Sequence, residues 1–409
     1  MRRSDNRILT SHVGSLPRPK ELLEINLARK AGKPIDVKAS QDKVRAATAD
    51  VVRRQKGIGI DIPSDGEFGH DMRYSVNYGA WWFYVFDRLA GLTVSEASPV
   101  VHLGIENPSS DTRKSGFSLT TFDKRRDWVK FGEAYADPES GIYTGPEPLQ
   151  LPACTGPLKY TGQEAIKADI ANTKAALAAA GIEEGFMTAV APGSAVRVAN
   201  EYYKDDDEFL MAGAEAMREE YKAIVDSGLI LQIDDPLVAE GFDQVVPEPS
   251  PAEYRKFAMR WIDAINYAIR GLPTDRIRFH LCWGSWHGPH STDIAMKDIM
   301  EAMMAVKCQG YSFEAGNARH EHEWRVWEEV KLPDDKVILP GVVSHATNVI
   351  EHPELVADRI ERFAYAVGRE RVIASTDCGL GGRVHAQIAW AKLESLTQGA
   401  AIASKRLWR

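Results

Sequence analysis

The 409-residue chain lacks any apolar run approaching the roughly 18 residues that a membrane-spanning helix needs. Its first residues, MRRSDNRILTSHVGS, carry two arginines with no apolar stretch behind them, so no secretory signal is expected and the cytoplasm is the expected compartment. Basic charge is also short. The formal net charge is −8, and no Lys/Arg run supplies the local excess that a phosphate-tracking surface requires, which sets nucleic acid aside as a partner. Cysteine is scarce: Cys154, Cys282, Cys308 and Cys378 are widely spread and too few for a disulfide framework. Thiols kept in a reducing compartment are core filler, ligands or nucleophiles. No G-x-G-x-x-G follows a strand-like run, so a dinucleotide-binding fold has little support.

What the chain does have is short apolar runs alternating with helical patterns, the sequence form of β/α units on a parallel sheet. The strand-like runs are ILTSHV (8–13), GIDIPSD (59–65), FMTAVAP (186–192), LILQIDD (229–235), RIRFHLC (276–282), YSFEAG (311–316), VILPGVV (337–343) and RVIASTD (371–377). Between them lie amphipathic segments such as QDKVRAATADVVRRQKG and PAEYRKFAMRWIDAINYAIRG, several closed by glycine as a helix end should be. Eight such runs with intervening helices predict an α/β fold, a (β/α)8 TIM barrel, with residues 1–409 forming one domain. The rhythm breaks at 68–150, which opens on the aromatic cluster YGAWWFYVF and closes on PLQLPACTGP. This segment reads as a large insertion after the second strand, either a hairpin-rich cap, an oligomer contact or plain packing. LPACTG is a further strand candidate belonging to the insertion rather than the barrel.

In a barrel of this kind the chemistry sits at the C-terminal ends of the strands. Those ends carry His12, Gly14 and Ser15; Asp65 and Glu67; Ser194; Asp234 and Asp235; His280 and Cys282; Glu314; His345; and Asp377 and Cys378. Within RFHLCWGSW, His280 and Cys282 are two apart, and positions i and i+2 of a strand share a face. His280, Cys282, Glu314 and Cys378 together offer one nitrogen, one carboxylate and two thiolates, a set that suits four-coordinate Zn2+. A full protein set at the reactive rim implies that one ligand yields to substrate, and the carboxylate of Glu314 is the candidate. Two thiolates and a carboxylate make a poor Lewis acid for hydrolysis but suit a substrate thiol, which a metal deprotonates and leaves nucleophilic. That chemistry is S-alkylation. A barrel metal hydrolase, a metal-free decarboxylase-like barrel and a structural zinc remain the competing readings.

The ordered motifs SHVGSLPRP, SDGEFGHDMR, LQIDDP, HLCWG, SFEAGN, PGVVSHATNV and STDCGLGGR resemble cobalamin-independent methionine synthase, specifically its C-terminal catalytic barrel. The resemblance implies a zinc enzyme that transfers a methyl group from a methylated folate to homocysteine, with the metal on His280, Cys282, Glu314 and Cys378. It also implies that Ser15 holds the carboxylate of homocysteine and that Glu67 and Asp234 hold its ammonium. A carboxylate pair around an ammonium is what charge complementarity alone would choose. His345, in HATNV, would act as the general acid on the leaving nitrogen of the donor. The chain departs from the family in having room for only one barrel, in Asp235 replacing a glutamate, in the aromatic insertion, and in the WGSWHGPH loop with His287 and His290, read as a surface turn in preference to a lid. These departures leave the methyl donor open between a folate, a corrinoid and another compound. They also leave open another acceptor thiol, as in the epoxyalkane:coenzyme M transferases.

Overall fold

A computed structural model of the chain describes residues 1–94, 100–101, 116–120, 124–142 and 149–409. Apolar runs build one seven-stranded sheet from β1 (Leu9–Thr10), β2 (Phe186–Val190), β3 (Ile230–Asp234), β4 (Ile277–Leu281), β5 (Gly310–Phe313), β6 (Val337–Val343) and β7 (Ile373–Thr376). Their spatial order is β1-β7-β6-β5-β4-β3-β2, and every pair is parallel. Parallel neighbours need crossovers, and the amphipathic segments supply them. These are α1 (Val37–Gly57), α2 (Gln163–Ala180), α3 (Asp206–Asp226), α4 (Pro251–Ala268), α5 (Met296–Met304), α6 (Pro353–Val367) and α7 (Ala386–Leu407). α4 shows why the boundaries fall where they do. Ser250 and Glu253 form a reciprocal capping box, Pro251 opens the helix, and Tyr254, Ala258, Trp261, Ile262 and Ile265 recur on the buried face.

The expected second strand is the exception. Residues 59–65 form no strand, yet they bond to both edges of the sheet. The amides of Asp61 and Ile62 both reach Thr10 O at 3.1 Å, Phe186 N donates to Pro63 O at 3.0 Å, and Ser64 makes a single parallel bridge to Phe186. Pro63 has no amide to give a ladder, and the Asp61 carboxylate takes Thr10 N at 2.9 Å in place of a backbone carbonyl. Inside the sheet, Leu9, Ile62, Phe186, Ile230, Val337, Leu339 and Ile373 form a closed apolar floor. Above it the buried Arg278 guanidinium lies 3.6 Å from the centre of the Phe186 ring. It donates to Gln232 Oε1 at 2.7 Å, Ser11 Oγ at 2.9 Å and His12 O at 2.8 Å, tying three strand ends together.

Of the span 68–150, residues 95–99, 102–115, 121–123 and 143–148 lie outside the described residues, and so does most of the expected hairpin character. The described part contains Ala80–Phe83 and the short helices Arg126–Lys130 and Gly132–Ala136, where no clear helix was expected. LPACTG continues into the strand Ala153–Tyr160, which pairs with Leu89–Thr93 and Ala199–Asn200 in a sheet of its own. Arg88 anchors this layer: its guanidinium bonds Asp169 at 2.5 Å and Glu220 at 3.2 Å, while Tyr84 Oη donates to Glu220 at 2.6 Å, all buried. Removing the cation leaves two buried carboxylates uncompensated. Arg88→Met is therefore expected to lower stability by about 3–5 kcal/mol, read as a lower urea midpoint; an unchanged midpoint removes this anchor.

Candidate metal centre

His280 is the penultimate residue of β4, Cys282 lies one residue beyond the strand, and Cys378 follows β7. Their ligand atoms all lie within 4.8 Å of one another. The His280 ring is fixed by Ser312 Oγ at Nδ1, 3.1 Å away, and its Nε2 is buried without a hydrogen-bond partner among the described residues. The turn after Cys378 is built from glycines for close approach. A Cβ on Gly379 would sit 2.8 Å from Ser15 Cβ, and one on Gly381 would sit 2.6 Å from Ser15 Oγ. Leu380 N and Gly381 N donate to Ser15 O, bringing Ser15 alongside the thiols.

The two thiols share a proton unequally. Its bond to Cys282, with help from His280, holds Cys378 well below the usual thiol range. Cys282 is pushed well above it, by that same bond and by burial. An imidazole nitrogen with no partner among the described residues and two thiols converging on it, one of them favoured toward ionisation, are a fitting donor set for a soft divalent cation, which would satisfy the nitrogen and compensate charge on the sulfur.

Glu314 stands in a different group. It ends up with His345 and Asp377, whose ligand atoms also lie within 4.8 Å of its own. Trp283 N donates to Glu314 Oε1 and Asn317 Nδ2 to Oε2, each at 2.8 Å. Asp377 accepts from Ala315 N and Gly316 N at 2.7 Å and from Asn317 Nδ2 at 3.1 Å. Both carboxylates are thus occupied by protein donors. The structure brings three of the four expected ligands together and places the fourth beside them in its own hydrogen-bond network. His345 is buried with Nδ1 unpartnered, and burial presses its pKa to about 3, so its ring is neutral at pH 7.

Glu67 and Asp234 face one cavity of about 540 Å³ together with Ser15, His280, Cys282 and Cys378. Glu67 holds a left-handed φ of 63°, uncommon for a residue with a side chain, fixed by Asp65 Oδ1 on its amide at 2.9 Å. Its Oε1 accepts from Thr188 at 3.2 Å and its Oε2 has no partner among the described residues. Burial, reinforced by Asp65, raises its pKa to about 8, although Arg18 opposes the shift. Asp234 takes Gln232 Nε2 at 2.7 Å and is pushed well above the carboxylate range, by burial first and then by Glu67. Two buried acids, each raised by burial and one of them by the other, leave a place for a cation. Of the other strand-end groups, His12 bonds Gln55 at 2.7 Å, and Asp235 accepts from Ser194 at 2.9 Å through Oδ1 while its Oδ2 is buried with no partner among the described residues.

Sequence reasoning passed over the far wall of the cavity. Trp81, Trp82 and Trp128 line it, and so do Trp286 and His287 of the loop read as a surface turn. That loop is fastened to the short helices. Trp286 Nε1 donates to Tyr135 Oη at 2.8 Å, and Ser291 donates to Asp127 from its amide and its hydroxyl at 2.8 and 2.9 Å. The density of tryptophan and histidine in WGSWHGPH was the available signal.

Residues 8–84 and 152–401 match the family described as the catalytic domain of cobalamin-independent synthase. The chain belongs to that family. The cobalamin-independent synthase segments contain every candidate site residue named above and leave 85–151 unmatched. The chain is accordingly a methyltransferase. Among named relatives, a methionine synthase of Thermococcus kodakarensis is 25% identical over 98% of this chain and 94% of its own length. One of Sulfolobus acidocaldarius is 24% identical over 97% and 93%. A B12-independent methionine synthase of Shewanella sp. W3-18-1, solved with selenomethionine, shares the fold at a TM-score of 0.70 and 19% identity, covering 98% of this chain and 99% of that one.

Proposed function

We propose that this chain is a zinc-dependent thiol methyltransferase that transfers a methyl group from a methylated folate or another donor to homocysteine, giving methionine. One observation carries the reading. The His280 Nε2, without a partner among the described residues, and the two thiols open onto the same cavity as the buried acids Glu67 and Asp234. A thiol bearing an ammonium is a ligand that satisfies both ends.

His280, Cys282 and Cys378 would hold the zinc, with Glu314 as the fourth ligand that yields to substrate. Zinc bound there supplies a thiolate at neutral pH that keeps its nucleophilicity. Glu67 and Asp234 bind the ammonium and Ser15 the carboxylate, which fixes the sulfur's direction of attack. In the transfer a sulfur–methyl bond forms as the donor–methyl bond breaks, and a proton must reach the donor atom that leaves. His345 is the group proposed to deliver that proton; because its ring is neutral when buried, it must be recharged from solvent or through the donor itself.

The same reading takes residues 59–65 as the second strand position of a complete (β/α)8 barrel, 68–150 as an insertion in a single domain, and the cytoplasm as the compartment. Zinc X-ray absorption with and without homocysteine tests the core of it. Two sulfur ligands are expected to become three. A count that stays at two removes homocysteine as the acceptor.

A further inference from the structure

The cavity has a second charged pole that the reading above does not use. The turn of glycines after Cys378 presses on Asn77 and Tyr78, where a Cβ on Gly382 would meet Asn77 O at 2.8 Å and Tyr78 Cα at 3.2 Å. This contact delivers the next residue, Arg383, onto the Tyr78 ring, its guanidinium carbon 3.2 Å from the ring centre. Arg383 lines the cavity, and its guanidinium donates to Ser285 Oγ. Among the described residues no carboxylate lies within ion-pair distance of it. The other cavity-side arginines differ: Arg125 pairs with Glu240 and Asp243, and Arg197 with Glu240.

A guanidinium presents five N–H donors in a planar fork, and here a neutral hydroxyl takes part of that fork while an aromatic ring covers its face. A charge withdrawn from water is costly, and although Cys378 and Glu240 bear on Arg383, no carboxylate reaches it at ion-pair distance among the described residues, so an arginine left this way in a cavity wall marks where a ligand brings one. A planar carboxylate matches the fork in a bidentate way. We infer that Arg383, backed by Tyr78 and Ser285, is the anchor for a carboxylate of a ligand bound in this cavity. It is thus a specificity-determining residue in the same cavity as Glu67 and Asp234. Either substrate can supply the group: the amino-acid carboxylate of the thiol, or an acidic tail on the methyl donor. Naming the source rests on the methyl-transfer reading; the anion site itself does not.

The test uses the zinc-loaded full chain and reads dissociation constants from the fluorescence of the tryptophans that line the cavity, so no turnover is required. Two pairs of probes are titrated: homocysteine against homocysteine amide, and 5-methyltetrahydrofolate against the methylated tetrahydropterin without its glutamate. In the wild type, one pair should differ by about 10- to 100-fold, the worth of a hydrogen-bonded charge pair. In Arg383→Met that ratio should collapse to within about twofold while the other pair's ratio holds, because the two ends are independent sites. Arg383→Lys should restore part of it, which a merely structural role would not do. The pair that collapses names the carboxylate. Ratios that survive in Arg383→Met, or a wild type that discriminates neither pair, overturn the assignment. Intact ratios in a protein that transfers no methyl group would sink the methyl-transfer reading and leave the anion site standing.

Discussion

Cys378→Ser should yield a folded protein with little bound zinc and a methyl-transfer rate reduced by well over about 100-fold, beyond the loss typical of outer-shell changes. A serine hydroxyl is a hard oxygen that does not ionise near neutrality, so it replaces neither the softness of the sulfur nor the ionisation that the site favours there. The fold should survive. Cys378 lies on the cavity wall after β7 and is only partly buried, so shortening its polar tip opens no void in the apolar core. Cys308 supplies the contrast. Its thiol is fully buried and donates to Gly310 O at 3.2 Å, a bond a hydroxyl can also make. Cys308→Ser should therefore keep both zinc and rate. Metal analysis and initial rates on the two variants decide the matter, and full zinc content with full activity in Cys378→Ser removes the ligand assignment.

The contrast between the two cysteines marks how far the sequence could be read. Their spacing along the chain says nothing of which is a ligand. What separates them is that Cys282 and Cys378 follow strand ends whereas Cys308 precedes one, and strand ends are visible because parallel strands buried on both faces leave long apolar runs. The same signal placed β2 to β7 and the amphipathic helices. It failed at 59–65, where composition resembles a strand but a proline and an aspartate side chain take over the bonding. Glu314 shows a different limit. It does end a strand, but Trp283 N and Asn317 hold it, and a backbone donor 31 residues upstream leaves no mark in the local pattern. The WGSWHGPH loop was legible only as unusual composition, because its role depends on contacts with Asp127 and Tyr135, far away in the chain.

Homocysteine binding at pH 7 should release protons from its thiol and from the buried acids that meet its ammonium, and Glu67→Gln should cut the release by about one. The first comes from the thiol, which is deprotonated on reaching a metal. The second comes from Glu67. With its pKa raised to about 8 by burial, it is mostly protonated at pH 7 in the free protein. An ammonium beside it favours the charged form and pulls that pKa down, so the proton leaves as the ligand arrives. Calorimetry in buffers of different ionisation enthalpy counts the protons, and the homocysteine KM of Glu67→Gln should rise by about 10- to 100-fold as the charged partner is lost. The ligand-free protein carries the same sign in its stability. An unfolded glutamate ionises above about pH 4.5 while the folded one keeps its proton up to about 8, so between those values the unfolded chain binds fewer protons and stability falls as pH rises. Glu67→Gln should flatten that slope in Tm measured from pH 5 to 8. An unchanged proton count together with an unchanged KM would take Glu67 out of the ammonium site, leaving Asp234 alone to hold the substrate's charge.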